Sequence, residues 1–169
     1  MTEPYRQFLK VANHCEMRRI LSGIAGQADL QWYDDAALTV ALRWYRTAQQ
    51  HRRSVEETKS IPRLWRSTIS RCYYAVYNAS KSVRYLVTGR VGLDASDHKQ
   101  VGDLPGDFPD RDRWSNFAVE LRRDRNVADY EGWTAARQSL TYPPAMAVTL
   151  TSQFLRVTRQ YLRQRGVSL

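Results

Sequence analysis

Cysteine is scarce in this 169-residue chain: Cys15 and Cys72 are the only two. They are too few for a disulfide framework and lack partners at metal-ligand spacing. Both read as buried thiols of a reducing cytoplasm. No run approaches the roughly 18 apolar residues of a membrane span, and the opening MTEPYRQFLK reads as no secretory signal. Neither GxxxxGK[ST] nor GxGxxG occurs, so no Gly-rich loop is available to cradle a nucleotide phosphate. Segments of period-2 alternation are missing too, which removes the pattern expected of half-buried strands. Lysine is also rare, at four residues.

What is present is arginine. Lys plus Arg number 26 against 17 Asp plus Glu, a formal charge of +9, and 22 of the 26 are Arg. The planar guanidinium fork matches phosphate, so this bias fits a polyanionic partner, with nucleic acid the first candidate and an acidic protein the second. Apolar residues make up 43% of the chain and include five Trp, ten Tyr and four Phe. Together with the length, that supports one domain with a sizeable core and excludes two ordinary ones.

Helical periodicity organises the chain. Glu3 to about Ser22 places Phe8, Ala12 and Cys15 on one side, and Gly23-Ile24-Ala25-Gly26 breaks the pattern. Asp34 or Asp35 is the expected cap of a second helix carrying Leu38, Ala41, Tyr45 and Ala48, which fades near His51-Arg52-Arg53. After Pro62, seven residues (Trp65, Ile69, Cys72, Val76, Ala79, Val83 and Leu86) repeat with spacing 4-3-4-3-4-3 and predict a long core helix ending at Gly89. Its other flank is polar and aromatic, with Arg71, Tyr74, Asn78, Lys81 and Tyr85. Thr88 to about Asp112 reads as a long loop rich in Gly, Pro and Asp. A fourth helix is expected from about Arg113 to Arg125, with Trp114, Ala118 and Leu121 inward. A last one opens at Pro143-Pro144 with an apolar face of Ala147, Leu150, Phe154, Val157 and Tyr161. The fold class is all-α, a helical bundle.

Few side chains point to chemistry. The six loop aspartates with His98 match no metal loop, so a solvated loop is the expectation, and Cys72 on the apolar stripe reads as packing. Arg156, Arg159 and Arg163 form a row on the last helix, readable as a solvated face or as phosphate contacts. Arg125 shares the inward stripe of Trp114, Ala118 and Leu121, where a charge needs a partner. It either pairs with Asp129 and the helix carbonyls or is held ready for a phosphate.

The chain resembles the HEPN superfamily over roughly Asp34 to Leu162. The likeness rests on Ser70-Arg71-Cys72-Tyr73-Tyr74-Ala75-Val76-Tyr77-Asn78-Ala79-Ser80-Lys81, on His98 with Val101, on Arg125-Asn126-Val127-Ala128-Asp129-Tyr130 and on the last helix. The resemblance implies an antiparallel bundle of four to five helices at 29–169 that pairs as a symmetric dimer. Residues 1–28 are then an added N-terminal helix and linker. It further implies a module of a toxin–antitoxin or phage-defence system, many of which are metal-independent ribonucleases built on Arg and, four to six residues later, His. Arg125 and Asn126 match the start of that motif, but positions 130 to 132 hold Tyr130, Glu131 and Gly132, with no His. His98 is set aside as a substitute.

Two functions follow from the resemblance. In one, the chain is an RNA-cleaving module without a cofactor or metal. Arg125 stabilises the phosphate, Asn126 orients it, Tyr130 assists proton transfer, and Arg71, Tyr74, Arg122 and Arg123 face the RNA, with Arg156 and Arg159 as further contacts. In the other it is a catalytically inactive subunit that pairs with a nucleotidyltransferase or another defence protein.

Overall fold

A computed structural model of the chain describes residues 13–23, 26–89, 91–92, 95–131 and 139–169. Five α-helices are present among them: α1 (His14–Leu21), α2 (Gln27–Thr58), α3 (Trp65–Thr88), α4 (Arg111–Tyr130) and α5 (Pro144–Arg163). Short 3-10 turns occupy Pro62–Leu64 and Ala95–Gln100, and no strand occurs among the described residues. Among the described residues no helix is long and apolar enough to cross a membrane. The expected all-α bundle is therefore what forms.

α3 is its axis. The predicted stripe holds, with Ile69, Cys72, Val76, Ala79 and Val83 wholly buried. The flank expected to be polar is buried as well, so every residue from 72 to 85 except Tyr74 is out of solvent. Such a helix forms only if neighbours cover all its sides, and small residues let them approach. Ala75, Ala79, Ser80 and Ser82 are among these, and each serine gives its proton to a carbonyl: Ser80 to Val101 and Ser82 to Ala41, both at 2.7 Å. Those bonds offset the cost of burying the hydroxyls. Burial pushes the Cys72 thiol up to about 11, consistent with its reading as a packing residue.

α2 begins at Gln27 and ends at Thr58, longer at both ends than its periodicity suggests. Asp34 and Asp35 are not caps: Asp34 pairs with Arg18 of α1, and Asp35 accepts a bond from Gln31. The helix continues past Arg53 because Val55 is buried and resumes the stripe left by Tyr45 and Ala48. Between them the core-facing turn is filled by the half-buried polar pair His51 and Arg52. α4 likewise outlasts Arg125 by five residues. Arg66 of α3 donates to the Val127 and Ala128 carbonyls, satisfying groups that a helix end leaves open.

Cross-helix contacts fix the directions. Thr68 meets Thr58 and Ser82 meets Ala41, so α3 runs antiparallel to α2. Arg66 meets Ala128 and Tyr74 meets Arg125, so α4 runs antiparallel to α3. Arg52 meets Ser152 and Tyr45 meets Leu155, which sets α5 antiparallel to α2. The buried Asp124 carboxylate accepts the Thr141 and Tyr142 amides at 2.7 and 2.9 Å and anchors the chain entering α5. α1 lies across the far end, where Gly89 closes α3 at φ +66°. A Cβ there would come within 2.7 Å of Asn13 Oδ1 and the Cys15 amide, so glycine is needed both for the left-handed turn and for the close approach.

The 88–112 segment is not a solvated loop. Val91, Val101, Leu104 and Phe108 are buried, and Asp97 is wholly buried against α3. Arg84 donates two parallel bonds to its oxygens at 2.9 and 3.0 Å, and Lys81, Tyr77 and the Gly92 amide complete the shell. Burial alone would raise this carboxyl, but Arg84 and the Gly92 and Tyr77 bonds outweigh it and hold it below the usual carboxylate range.

Candidate functional site

The antiparallel register brings the C-terminal half of α2, the N-terminal half of α3 and the last two turns of α4 to one end of the bundle. There Arg125 projects inward, as its place on the α4 stripe requires. Its Nη2 donates to the Tyr74 hydroxyl at 2.6 Å and its Nη1 to Asn126 Oδ1 at 3.3 Å. Asp129, one turn on, places Oδ2 2.7 Å from Nε. That contact is a charge pair without hydrogen-bond alignment, and the buried Nε–H is left without an acceptor. The guanidinium carbon lies 4.9 Å from the Tyr130 ring centre, 5.3 Å from Tyr74 and 5.7 Å from Tyr73. Tyrosine faces favour the cation and exclude water from it. With the side chain 14% exposed, the charge is balanced yet still open along one edge.

Beside Arg125 runs a polar groove of about 450 Å³ lined by Ser54, Arg66, Ser70, Arg71, Tyr74 and Asp129 among others. Its chemistry is two guanidiniums, several hydroxyls and two carboxylates, those of Glu57 and Asp129. Ser70 donates to Asp129 at 3.4 Å, so the carboxylate joins the groove to Arg125. Arg66 is occupied with the end of α4, whereas Arg71 is exposed and lies 3.5 Å from His51 Nδ1.

Two histidines flank Tyr74. The His51 ring, from α2, stacks on it at 5.4 Å, and the His98 ring, from the 3-10 turn, meets its edge at 6.1 Å. His98 also stacks on Tyr77 at 4.2 Å, and its Nδ1 lies 2.6 Å from the Tyr73 hydroxyl. Burial and the Arg125 charge lower the His98 imidazole below its ordinary value, against the pull of Asp97. Burial and Arg71 lower His51 in the same direction. Burial raises the Tyr73 hydroxyl, so it remains a proton-bearing partner for His98. Both residues are half-buried.

The residues singled out in the sequence divide between this site and other places. Arg125, Asn126, Tyr130, Arg71 and Tyr74 come together, with Tyr130 70% exposed at the rim. Arg125 satisfies the pairing expectation, since Asp129 is its partner. Arg122 stands on the same flank of α4, close enough for its charge to act on His98. Arg123 does not join them: two residues from Arg125 it points about 200° away around the helix, where it pairs with Glu120 at 2.6 Å. Arg156 and Arg159 lie on α5 beyond Leu155, toward the end of the bundle away from His51, and Arg159 reaches the Leu169 carbonyl. His98, set aside in the sequence as a substitute, and His51, which carries no role there, both belong to this cluster. Only the ordering of the loop around Asp97 could reveal the first, and only the α2–α3 register the second. Among the described residues no three His, Cys, Asp or Glu side chains gather as metal ligands.

Compared with models of known families, with curated proteins and with solved structures, the chain matches none.

Proposed function

We propose that the α2–α3–α4 groove binds the phosphate backbone of RNA, and that the chain is an HEPN-type module of a toxin–antitoxin or phage-defence system acting as a metal-independent endoribonuclease. The observation that carries this reading is the state of Arg125: a guanidinium held among three tyrosine rings and 14% exposed, beside a groove bearing exposed Arg71. Arranged so, the fork meets phosphate oxygens with little reorganisation, and in a water-poor setting its charge stabilises a phosphorane more than it would in bulk water. The net charge of +9 supplies long-range attraction for a polyanion. Pairing of two copies as a symmetric dimer would bring two such grooves to one RNA.

Incubating the purified chain with total tRNA and rRNA in EDTA, beside Arg125→Ala and Tyr130→Phe, tests the proposal. Cleavage that persists in EDTA and disappears in Arg125→Ala is expected. Affinity for RNA falling steeply with salt marks phosphate contacts, because binding releases counterions. Uncut RNA at high protein concentration overturns the nuclease.

A second reading draws on the exposure of Tyr130, whose ring stands at the rim where another protein can reach it. There the chain is a non-catalytic partner of an adjacently encoded nucleotidyltransferase, and co-expression followed by intact-mass measurement would find a nucleotidyl group on Tyr130.

A further inference from the structure

We propose that His51 and His98, both in ring contact with Tyr74, are the proton-transfer residues that the Arg125 segment does not contain. The inference rests on the RNA-cleaving reading above and assigns it a residue pair drawn from two other elements. Cleavage of RNA without a metal needs three things at one phosphate: a group to take the 2′-hydroxyl proton, a cation for the phosphorane, and a group to give a proton to the departing 5′-oxygen. The Arg125 segment offers the Tyr130 hydroxyl and no imidazole. Imidazole suits both transfers. Among the described residues the remaining histidine, His14, opens α1 and is buried against Tyr85 at the opposite end of the bundle.

The geometry supports a pair rather than a single residue. Tyr74 binds Arg125 through its hydroxyl, stacks on His51 through one face and meets His98 with its edge. The cation and the two imidazoles are thus tied to one side chain. Each imidazole has its own positioning contact. Tyr73 holds His98 by a hydroxyl that both donates and accepts, so either tautomer keeps a bond there. Arg71 faces His51 Nδ1 and can only donate, so that nitrogen carries a lone pair and the proton sits on Nε2. A phosphate that draws Arg71 into the groove frees the His51 lone pair.

In the step so built, the neutral imidazole takes the proton of the 2′-hydroxyl as the O2′–P bond forms. The P–O5′ bond breaks, and the protonated imidazole gives its proton to O5′. The products are a 2′,3′-cyclic phosphate and a 5′-hydroxyl. The two rings have exchanged protonation states, and water resets them with no net proton consumed.

The pH profile follows from the surroundings. His98 faces Tyr73, Tyr77, Asp97, Arg125, Lys81 and Arg122, and His51 faces Tyr74 and Arg71. Burial and these cations lower both imidazoles, so the optimum of a bell-shaped profile falls below the ordinary histidine value of 6.5.

The test measures cleavage of an RNA oligonucleotide in EDTA across about pH 5 to 8 with the full chain, His51→Gln and His98→Gln. Binding of a 2′-deoxy oligonucleotide, which cannot be cut, is measured in parallel with thermal unfolding. Expected is a fall in kcat of about 100-fold or more for each variant, binding within about twofold, and loss of a different limb of the bell in each. Tyr73→Phe, which keeps the ring and removes the hydroxyl bonded to His98, should move only the His98 limb. Cleavage at the full rate by either glutamine variant, or a slower rate with an unchanged profile, overturns the pair. Uncut RNA combined with Arg125-dependent binding of the deoxy probe overturns the pair and the nuclease while leaving the phosphate site. Absence of binding overturns the phosphate site itself.

Discussion

Two arginine–aspartate pairs flank α3, and they differ in almost everything but composition. Arg84 and Asp97 are 1% and 0% exposed and joined by two parallel bonds, with Lys81, Tyr77, Gln100 and the Gly92 amide filling the shell. Arg125 and Asp129 are 14% and 26% exposed and touch through one unaligned contact, with the Tyr74 hydroxyl and Asn126 Oδ1 as the other acceptors and tyrosine rings around the cation. A closed pair, buried on both sides, offers nothing to a ligand and holds the Asp97 turn to the bundle. The open pair keeps its cation balanced and leaves it partly reachable from the groove. Burial and bond count, rather than residue type, separate a fold lock from a binding site.

The largest effect expected is on the closed pair. Asp97→Asn keeps the shape but leaves Arg84 and Lys81 buried without their countercharge. Breaking such a pair costs about 3–5 kcal/mol, read by urea unfolding. A loss below about 1 kcal/mol would erase the distinction between the two pairs. The same carboxylate predicts an acid limb. Its folded pKa lies below its ordinary value of 3.8, so between the two the unfolded chain binds more protons and stability rises with pH. The contribution is complete above about pH 4 and is lost as pH falls through the folded value, a limb that Asp97→Asn should lack.

A smaller effect on stability and a clearer one on binding are expected at the open pair. Arg125→Ala leaves Asp129 able to take up water, so unfolding should shift by about 1 kcal/mol. Loss of a charge-assisted phosphate contact worth about 1.5–3 kcal/mol weakens RNA affinity by about 10- to 100-fold. The slope of affinity against salt should fall by about 0.7 for one single-strand phosphate contact. A large stability loss with unchanged affinity would make this pair a second lock.

Much of this architecture is legible in the chain. The 4-3 spacing of α3 marks a core helix because apolar residues repeat at the helical period, and the inward position of Arg125 follows from its stripe with Trp114, Ala118 and Leu121. The length of α2 is not, because His51 and Arg52 interrupt its apolar face at the turn that lines the site. A binding residue on a core-facing position looks locally like the end of a helix. Asp97 is hidden among six loop aspartates, since nothing in its neighbours tells that Arg84, thirteen residues earlier, will turn toward it. The meeting of His51, Tyr74 and His98 depends on the register of three elements distant in sequence. Periodicity reports which face is inward and not what stands opposite.

The smallest effect is expected at Arg123, and it bounds the site. This side chain is 70% exposed and its partner Glu120 lies one turn back on the same helix, the kind of surface pair worth about 0–1 kcal/mol. Arg123→Ala should therefore leave the urea midpoint nearly unchanged. Its effect on RNA is more informative. Arg123 and Arg125 carry the same charge two residues apart but point about 200° apart around α4, so general electrostatic attraction would value them alike while a groove on the α3 side would not. If the phosphate path follows Arg71 and Arg125, Arg123→Ala lowers affinity by less than about threefold and leaves the salt slope where it was. If it weakens binding as much as Arg125→Ala does, RNA tracks the Glu120–Thr141 flank instead, and the tyrosine-lined cation is there to hold α4 against α3.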